Sequence, residues 1–210
     1  MQNFYPLLAA VLAYLVGSLA FAVIVSRVMG LSDPRTFGSK NPGATNVLRS
    51  GNKPAALVTL LLDACKGLVP VLLVHWYGDA LGLGEGTVAM VALAAFLGHL
   101  FPVFFRFQGG KGVATFIGAV FGIDWVLGAA TGLTWLIIAF FFRYSSLASL
   151  VAAVFAPVYF LLLDRIFWTA DAPVVMALFA MALLLAWRHR LNIERLIAGT
   201  ESRLGAKNSA

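Results

Sequence analysis

The chain has 210 residues, 61% of them hydrophobic and only 11% charged, with a mean hydropathy of +0.91. Soluble globular domains carry about 45–50% apolar and about 25% charged residues, so the composition excludes that class and points to a polytopic helical membrane protein. A formal net charge of +6 has the sign that suits nucleic acid, but in so apolar a chain it marks cytoplasmic loops, and no nucleic-acid partner is expected.

In chain order, apolar runs cover residues 4–29, 54–77, 87–105, 125–142, 147–163 and 173–187. Each approaches the roughly 20 residues needed to cross about 30 Å of hydrocarbon. Such unbroken runs are unlike the short alternating segments of a β-barrel. The first run lacks a basic segment before it and reads as a retained span, not a cleaved signal. The single Cys65 excludes a disulfide framework and is expected to be a core thiol. Val113–Ile123 is apolar but only half a span long, and its length alone suggests a re-entrant or interfacial segment.

Charge placement argues otherwise. If residues 113–123 cross, almost every cation from Arg27 to Arg203 and Lys207 falls at the cytoplasmic side, whereas the outside turns hold Asp79, Glu85, Asp124, Asp164 and Asp171, with Arg165 the lone cation. Without that crossing Arg143, Arg188, Arg190, Arg195 and Arg203 move outside, against the positive-inside bias. The sequence therefore predicts an all-α integral membrane protein with seven transmembrane helices, the fourth short, in one domain over residues 1–210. The N-terminus lies outside and the C-terminus in the cytoplasm; local bilayer thinning accommodates the short helix.

Three polar islands then share the cytoplasmic face. The first contains Gly38, Ser39, Lys40, Asn41, Gly43, Thr45, Asn46 and Arg49. Its glycines permit turns whose amides bind anions, and the Arg49 fork suits phosphate oxygens. The second, Gly109-Gly110-Lys111-Gly112, opens the short fourth helix, where free amides and the helix dipole favour an anion. It lacks the spacing of a P-loop. In the third, a helical continuation puts His189, Asn192 and Arg195 on one face, with Glu201 and Arg203 beyond. Each island alone is also readable as an ordinary loop or a basic helix touching anionic lipid.

Within the membrane, Asp63 and Lys66 stand at i, i+3 and His99 near the cytoplasmic half of its helix. An isolated charge there costs about 2.5–3.5 kcal/mol on insertion scales, so a paired, structural role is expected. Ser146 follows Arg143 on the cytoplasmic side, within reach of a ligand. Gly118, Gly122, Gly128 and Gly132 serve either close helix packing or a groove for an apolar tail. The cytoplasmic side offers no paired Asp/Glu cluster suited to Mg²⁺. The absence of evident repeat symmetry and the acidic outside face weigh against the alternative, a phosphate-ester transporter.

Together, the motifs Gly38-Ser39-x-Asn41-x-Gly43-Ala44-x-Asn46-x-x-Arg49, Gly98-His99-x-Phe101-Pro102 with Gly109-Gly110-Lys111-Gly112-Val113-Ala114-Thr115, and His189-x-x-Asn192-x-x-Arg195 through Gly199, Glu201, Arg203 and Gly205 resemble the bacterial acyl-phosphate:glycerol-3-phosphate acyltransferase family. Asp63-x-x-Lys66-Gly67 and Arg143-Tyr144-x-Ser146-Leu147 also look like its pattern, and the resemblance spans essentially the whole chain. Lys40 departs from it, standing where a glycine is common.

The resemblance implies acyl transfer from acyl phosphate to the sn-1 hydroxyl of glycerol 3-phosphate at the cytoplasmic side of the bacterial inner membrane. It further implies no acyl-enzyme, metal or cofactor, and dependence on an enzyme that forms acyl phosphate. Ser39, Arg49, Lys111, His189 and Asn192 are then the candidate catalytic residues. Gly38, Asn41, Gly43, Asn46, Gly109, Gly110, Gly112, Ser146, Arg195, Glu201 and Arg203 are candidates for substrate or phosphate binding, with Asp63, Lys66 and His99 in support. The proton acceptor stays open between His189 and a phosphate oxygen of the donor; substrate assistance with His189 as binder is favoured.

Overall fold

The computed structural model describes residues 4–205; Lys207, counted above among the cytoplasmic cations, lies outside them. Among the described residues there are ten α-helices and no strand beyond an isolated bridge between Asp164 and Trp168.

The first apolar run is not one rod. Helices α1 (Phe4–Gly17) and α2 (Phe21–Val28) meet at a 41° bend. The cause is partly tertiary: Gly17 packs so closely on the Ala95 backbone that a Cβ would collide with it, and within the run the Ser18 hydroxyl donates to the Tyr14 carbonyl at 2.8 Å. Gly/Ser pairs are a common origin of such kinks.

After α3 (Ala44–Leu48) comes α4 (Lys53–Tyr77), started by Asn52, whose side chain accepts from the Ala55 amide at 2.9 Å, with Pro54 in the first turn. Helix α5 (Glu85–Leu100) stops before Pro102, and a 3-10 turn at Val103–Phe105 completes the predicted run to residue 105. Helices α6 (Val113–Ile123) and α7 (Trp125–Phe142) are separated by Asp124, which caps α7 through the Val126 and Leu127 amides at 2.7 and 3.0 Å. Helix α8 (Ser145–Leu162) follows. Helix α9 (Ala172–Arg188) then breaks at His189 into α10 (Arg190–Ile197), bent by 61°. The helical continuation considered beyond residue 188 is present as α10, but it is turned at His189.

Among the described residues, four helical segments are long and apolar enough to cross a membrane, or six if each bent pair counts as one span; α6, with 11 residues, is shorter. It packs along α4, where Gly67 meets the Thr115 carbonyl and Gly118 the Ala64 carbonyl, leaving no room for a Cβ at either. Close backbone approach of this kind gains dispersion contacts where lipid removes any hydrophobic drive. Gly122 against Val71 and Gly128 against Phe121 are equally closed, so three of the four glycines weighed for a tail groove serve packing. Gly132 alone has ordinary space, 3.7 Å from the Phe121 ring. Phe96 and Phe116 meet edge-on at 6.2 Å in the core, with Leu100, Leu127, Leu178 and Met181 around them. Large apolar side chains also face outward, Phe140 at 78% and Leu183 at 71% exposure among them. Cys65, expected in the core, is instead exposed on α4. An apolar segment has two apolar faces here, and its hydropathy does not tell which is buried.

Candidate active site

Beneath the polar end lies a buried charged node. Lys66 Nζ stands 2.8 Å from Asp63 Oδ1 and donates to the Leu19 carbonyl at 2.7 Å, in the α1–α2 bend. His99 Nδ1 lies 3.6 Å from the same carboxylate oxygen and 3.2 Å from Thr115 Oγ1. The Thr115 hydroxyl donates to the Asp63 carbonyl at 2.9 Å, which leaves its oxygen to accept from His99 Nδ1. The node thus joins α4, α5, α6 and the bend below the glycine turn.

That turn is tightly enclosed. At Gly110 a Cβ would meet His99 Nε2 and come within 2.9 Å of the Pro42 carbonyl, and at Gly109 it would strike the carbonyls of His99 and Leu100. Arg188 braces the turn from α9, donating from Nη2 to the Gly109 carbonyl at 2.6 Å and from Nε to the Gly110 carbonyl at 3.0 Å. Its guanidinium also lies over the Phe101 and Trp187 rings. In trans peptides the carbonyl and following amide point to opposite sides, so this grip turns the Gly110 and Lys111 amides away from Arg188. Gly112, at φ +83, leads into α6, whose first turn has no side-chain cap.

The first island is held by Asn46, nearly fully buried. Its Nδ2 donates to the Pro34 and Phe37 carbonyls at 2.6 and 3.1 Å, and Oδ1 accepts from the Ser39 amide at 2.9 Å. Gly38, at φ +56, sits against Asn46 Oδ1 with no space for a side chain. Asn46 therefore shapes the loop, leaving Ser39 exposed on it. Gly43 begins α3 and lies beside the Asn41 amide group.

The third island closes over the others. The Lys111 ammonium donates to Asn192 Oδ1, and Asn192 Nδ2 donates to Glu201 Oε1 at 2.6 Å. Ser146 donates to the same oxygen at 2.7 Å, and Arg195 Nε meets Glu201 Oε2 at 2.8 Å. Arg49 Nη2 donates to Ser202 Oγ at 2.7 Å. Arg203 instead reaches Tyr144, whose hydroxyl accepts at 3.2 Å, and Leu204 exchanges hydrogen bonds with Arg143. All three islands meet: the first and second at Pro42 and Gly110, the second and third at Lys111 and Asn192, the first and third at Arg49 and Ser202.

Electrostatics follow from this crowding. Lys111 is pushed down to about 8, first by burial, with Glu201 opposing and Arg195, Arg49 and Arg188 adding to the fall. His189, 2% exposed at the α9 end, lies 2.8 Å through Nδ1 from the Leu185 carbonyl. A carbonyl only accepts, so Nδ1 carries the proton and Nε2 the lone pair in the neutral ring. Burial and then the Lys111 ammonium push its pKa down to about 4, which leaves it neutral at pH 7. Glu201 is raised by burial, yet the hydrogen bonds from Arg195, Ser146 and Asn192 outweigh this and hold it below the usual range.

The assembly is an enclosed end of a helical bundle with a semi-buried ammonium, a neutral imidazole and an uncapped helix start, which suits phosphate esters. Residues 7–199 match the family described as glycerol-3-phosphate acyltransferase. The chain belongs to that family. The acyltransferase is 67% identical over 207 residues to the glycerol-3-phosphate acyltransferase of Albidiferax ferrireducens, covering 99% of this chain and 92% of that one. It is 64% identical over 201 residues to that of Burkholderia pseudomallei, covering 96% of each. Crystal structures of PlsY (YgiH), an integral membrane glycerol 3-phosphate acyltransferase, are also similar: the glycerol 3-phosphate form with TM-score 0.86 at 36% identity, and the lysophosphatidic acid form with 0.84 at 35%, each covering 96% of both chains. The outward apolar helices accord with an integral membrane protein.

Four contributors are not singled out by the sequence. Arg188 enters only as a cytoplasmic cation, Tyr144 and Thr115 only as motif letters, and Ser202 not at all. An Arg directly before His189 was the one available signal, and it does not distinguish a brace from a membrane anchor.

Proposed function

We propose that the acyltransferase moves a fatty acyl group from acyl phosphate to the sn-1 hydroxyl of glycerol 3-phosphate, giving 1-acyl-glycerol 3-phosphate and inorganic phosphate. The observation that carries this reading is the junction of Lys111, Asn192, Glu201 and Ser146, with Arg49 attached through Ser202. Two phosphates require several donors held without mutual collapse, and Glu201 keeps Asn192 and Arg195 in place among like charges.

The hydroxyl oxygen forms the new bond to the acyl carbonyl carbon as the bond from that carbon to the phosphate oxygen breaks. Acyl phosphate is already activated, so alignment and charge neutralisation supply most of the catalysis. Lys111, the amides at the α6 start and Arg49 hold phosphate, with Ser39 on the loop that Asn46 shapes. His189 and Asn192 bind the glycerol 3-phosphate end. The hydroxyl proton passes to a phosphate oxygen of the donor, because an imidazole held near 4 is a weak base at neutral pH. Neither a metal nor an acyl-enzyme takes part, and a separate enzyme must supply the acyl phosphate.

Seven crossings, with α6 in a thinned region, place the N-terminus outside and the site in the cytoplasm of a bacterial inner membrane. Charge distribution supports this: Asp79, Glu85, Asp124, Asp164 and Asp171 lie at the turns opposite the site end. The test is purified protein with palmitoyl phosphate and glycerol 3-phosphate, without Mg²⁺ or acyl-CoA. Coupled release of phosphate and lysophosphatidate is expected; no product across several acyl chain lengths sinks the reading.

A further inference from the structure

Two depressions of about 700 and 360 Å³ share Arg35 and Gln108 in their walls and open beside the glycine turn. Neither is lined by Lys111, His189 or Asn192; Gly109 and Arg188, in the wall of the smaller one, connect it to that centre. The larger holds Arg27 and Arg106 beside Arg35, and the smaller adds Lys40 and Arg188. Among the described residues the one carboxylate in either wall, Asp33, is gripped by the Arg35 fork at 2.6 to 3.1 Å. Phe104, Phe105 and Phe107 supply apolar wall, and Phe104 and Phe107 are more than half exposed.

The backbone gives a second, independent observation. Five non-glycine residues among those described have positive φ, and three of them line this cleft: Lys40 at +55, Arg106 at +54 and Phe107 at +59. Such conformations are disfavoured for residues with a Cβ and gather at functional sites. Lys40 occupies backbone suited to glycine yet adds a further cation to a wall already rich in them. Asp33 pairs with Arg35, and the other cations of these walls, Arg27, Arg106, Lys40 and Arg188, make the cleft favourable to an anion.

We propose that this cleft binds the phosphate headgroup of a single-chain amphiphile, the acyl phosphate entering or the acylated glycerol phosphate leaving. Its cations take the phosphate and its phenylalanines lie along the first methylenes. The inference rests on the acyl-transfer reading and adds a lipid-phosphate contact outside the reacting centre.

The test uses the full chain in zwitterionic nanodiscs and reads two quantities. One is binding of 1-palmitoyl-lysophosphatidate by native mass spectrometry; the other is KM for each substrate. Lys40→Gly and Arg106→Gln are each expected to weaken lysophosphatidate binding and raise KM for palmitoyl phosphate about two- to five-fold, the range for an exposed ionic contact. KM for glycerol 3-phosphate stays put, and Lys40→Gly keeps or raises the unfolding temperature because glycine fits the left-handed backbone. Equal binding and KM in both folded variants overturn the cleft. Phosphatidylglycerol competing as strongly as lysophosphatidate overturns the choice of occupant in favour of bulk anionic lipid. Inorganic phosphate losing its affinity in parallel overturns it in favour of free phosphate. Absence of acyl transfer by the unaltered chain defeats the acyl-transfer reading instead, and the binding arm still decides the cleft.

Discussion

Lys111 and Asn192, 81 positions apart, meet through a hydrogen bond from the Lys111 ammonium to Asn192 Oδ1. Asn192 passes the contact on to Glu201, so the ammonium is positioned by a neutral amide and not cancelled by a carboxylate. It stays available to a substrate phosphate. Lys111→Ala is expected to lower kcat/KM by about 100-fold or more, as loss of a group stabilising developing charge does, with little change in unfolding temperature. Retained activity would falsify the assigned role. Asn192→Ala combined with Lys111→Ala should cost less than the sum of the two, since contacting residues are not additive.

The pH profile should carry a basic limb from Lys111. With its pKa pushed down to about 8, the ammonium is lost as pH rises through 8, and kcat/KM is expected to fall there. Stability moves oppositely. The unfolded chain keeps this proton up to the ordinary lysine range, so between about pH 8 and 10.5 it binds more protons than the folded one, and the contribution of Lys111 to stability rises with pH. Lys111→Arg should remove the limb at 8 from any activity that remains; a limb unchanged in that variant assigns it elsewhere.

For His189→Gln, turnover with saturating glycerol 3-phosphate is expected to stay near normal while KM for that substrate rises. A glutamine keeps a donor and an acceptor but is no base. Turnover lost at saturation, in a folded variant, would contradict proton transfer to the donor phosphate.

Arg188 provides a separate check on the glycine turn. Its two donors fix the Gly109 and Gly110 carbonyls, and Arg188→Gln should raise KM for a phosphorylated substrate by about tenfold, the equivalent of a charge-assisted hydrogen bond of roughly 1.5 kcal/mol. Arg188→Lys, with a single point charge, should recover part of it. A pure stability loss with both KM values unmoved would reduce Arg188 to a packing residue.

Removing half of the buried pair tests the node beneath. Lys66→Met strips Asp63 of its 2.8 Å partner and releases the Leu19 carbonyl. The expected cost is about 3–5 kcal/mol, read by thermal unfolding in detergent. Replacing Asp63 and Lys66 together by apolar residues should cost less, because no unpaired charge remains.

Much of this was legible in the chain. The apolar runs, the proline and asparagine at the α4 start and the Asp124 cap mark helices through local rules that need no tertiary partner. The Asp63–Lys66 spacing likewise announced its own pair. Less legible were the bends: Ser18 lies inside an apolar run, and its break depends on Gly17 meeting Ala95. Cys65 shows the same limit, since hydropathy does not separate a lipid-facing side from a packed one.

The polar islands divide along that line. Their residue types and spacing are local, and the sequence by itself determined them, together with the helical membrane class. Which side chains reach which others was decided only by the tertiary structure: Lys111 to Asn192 across 81 positions, Arg49 to Ser202 across 153, and Arg188 to the glycine turn across 78 and 79. A hydrogen bond requires its atoms within about 3 Å and in line, and over such separations that proximity comes from how the helices pack, which no local pattern encodes.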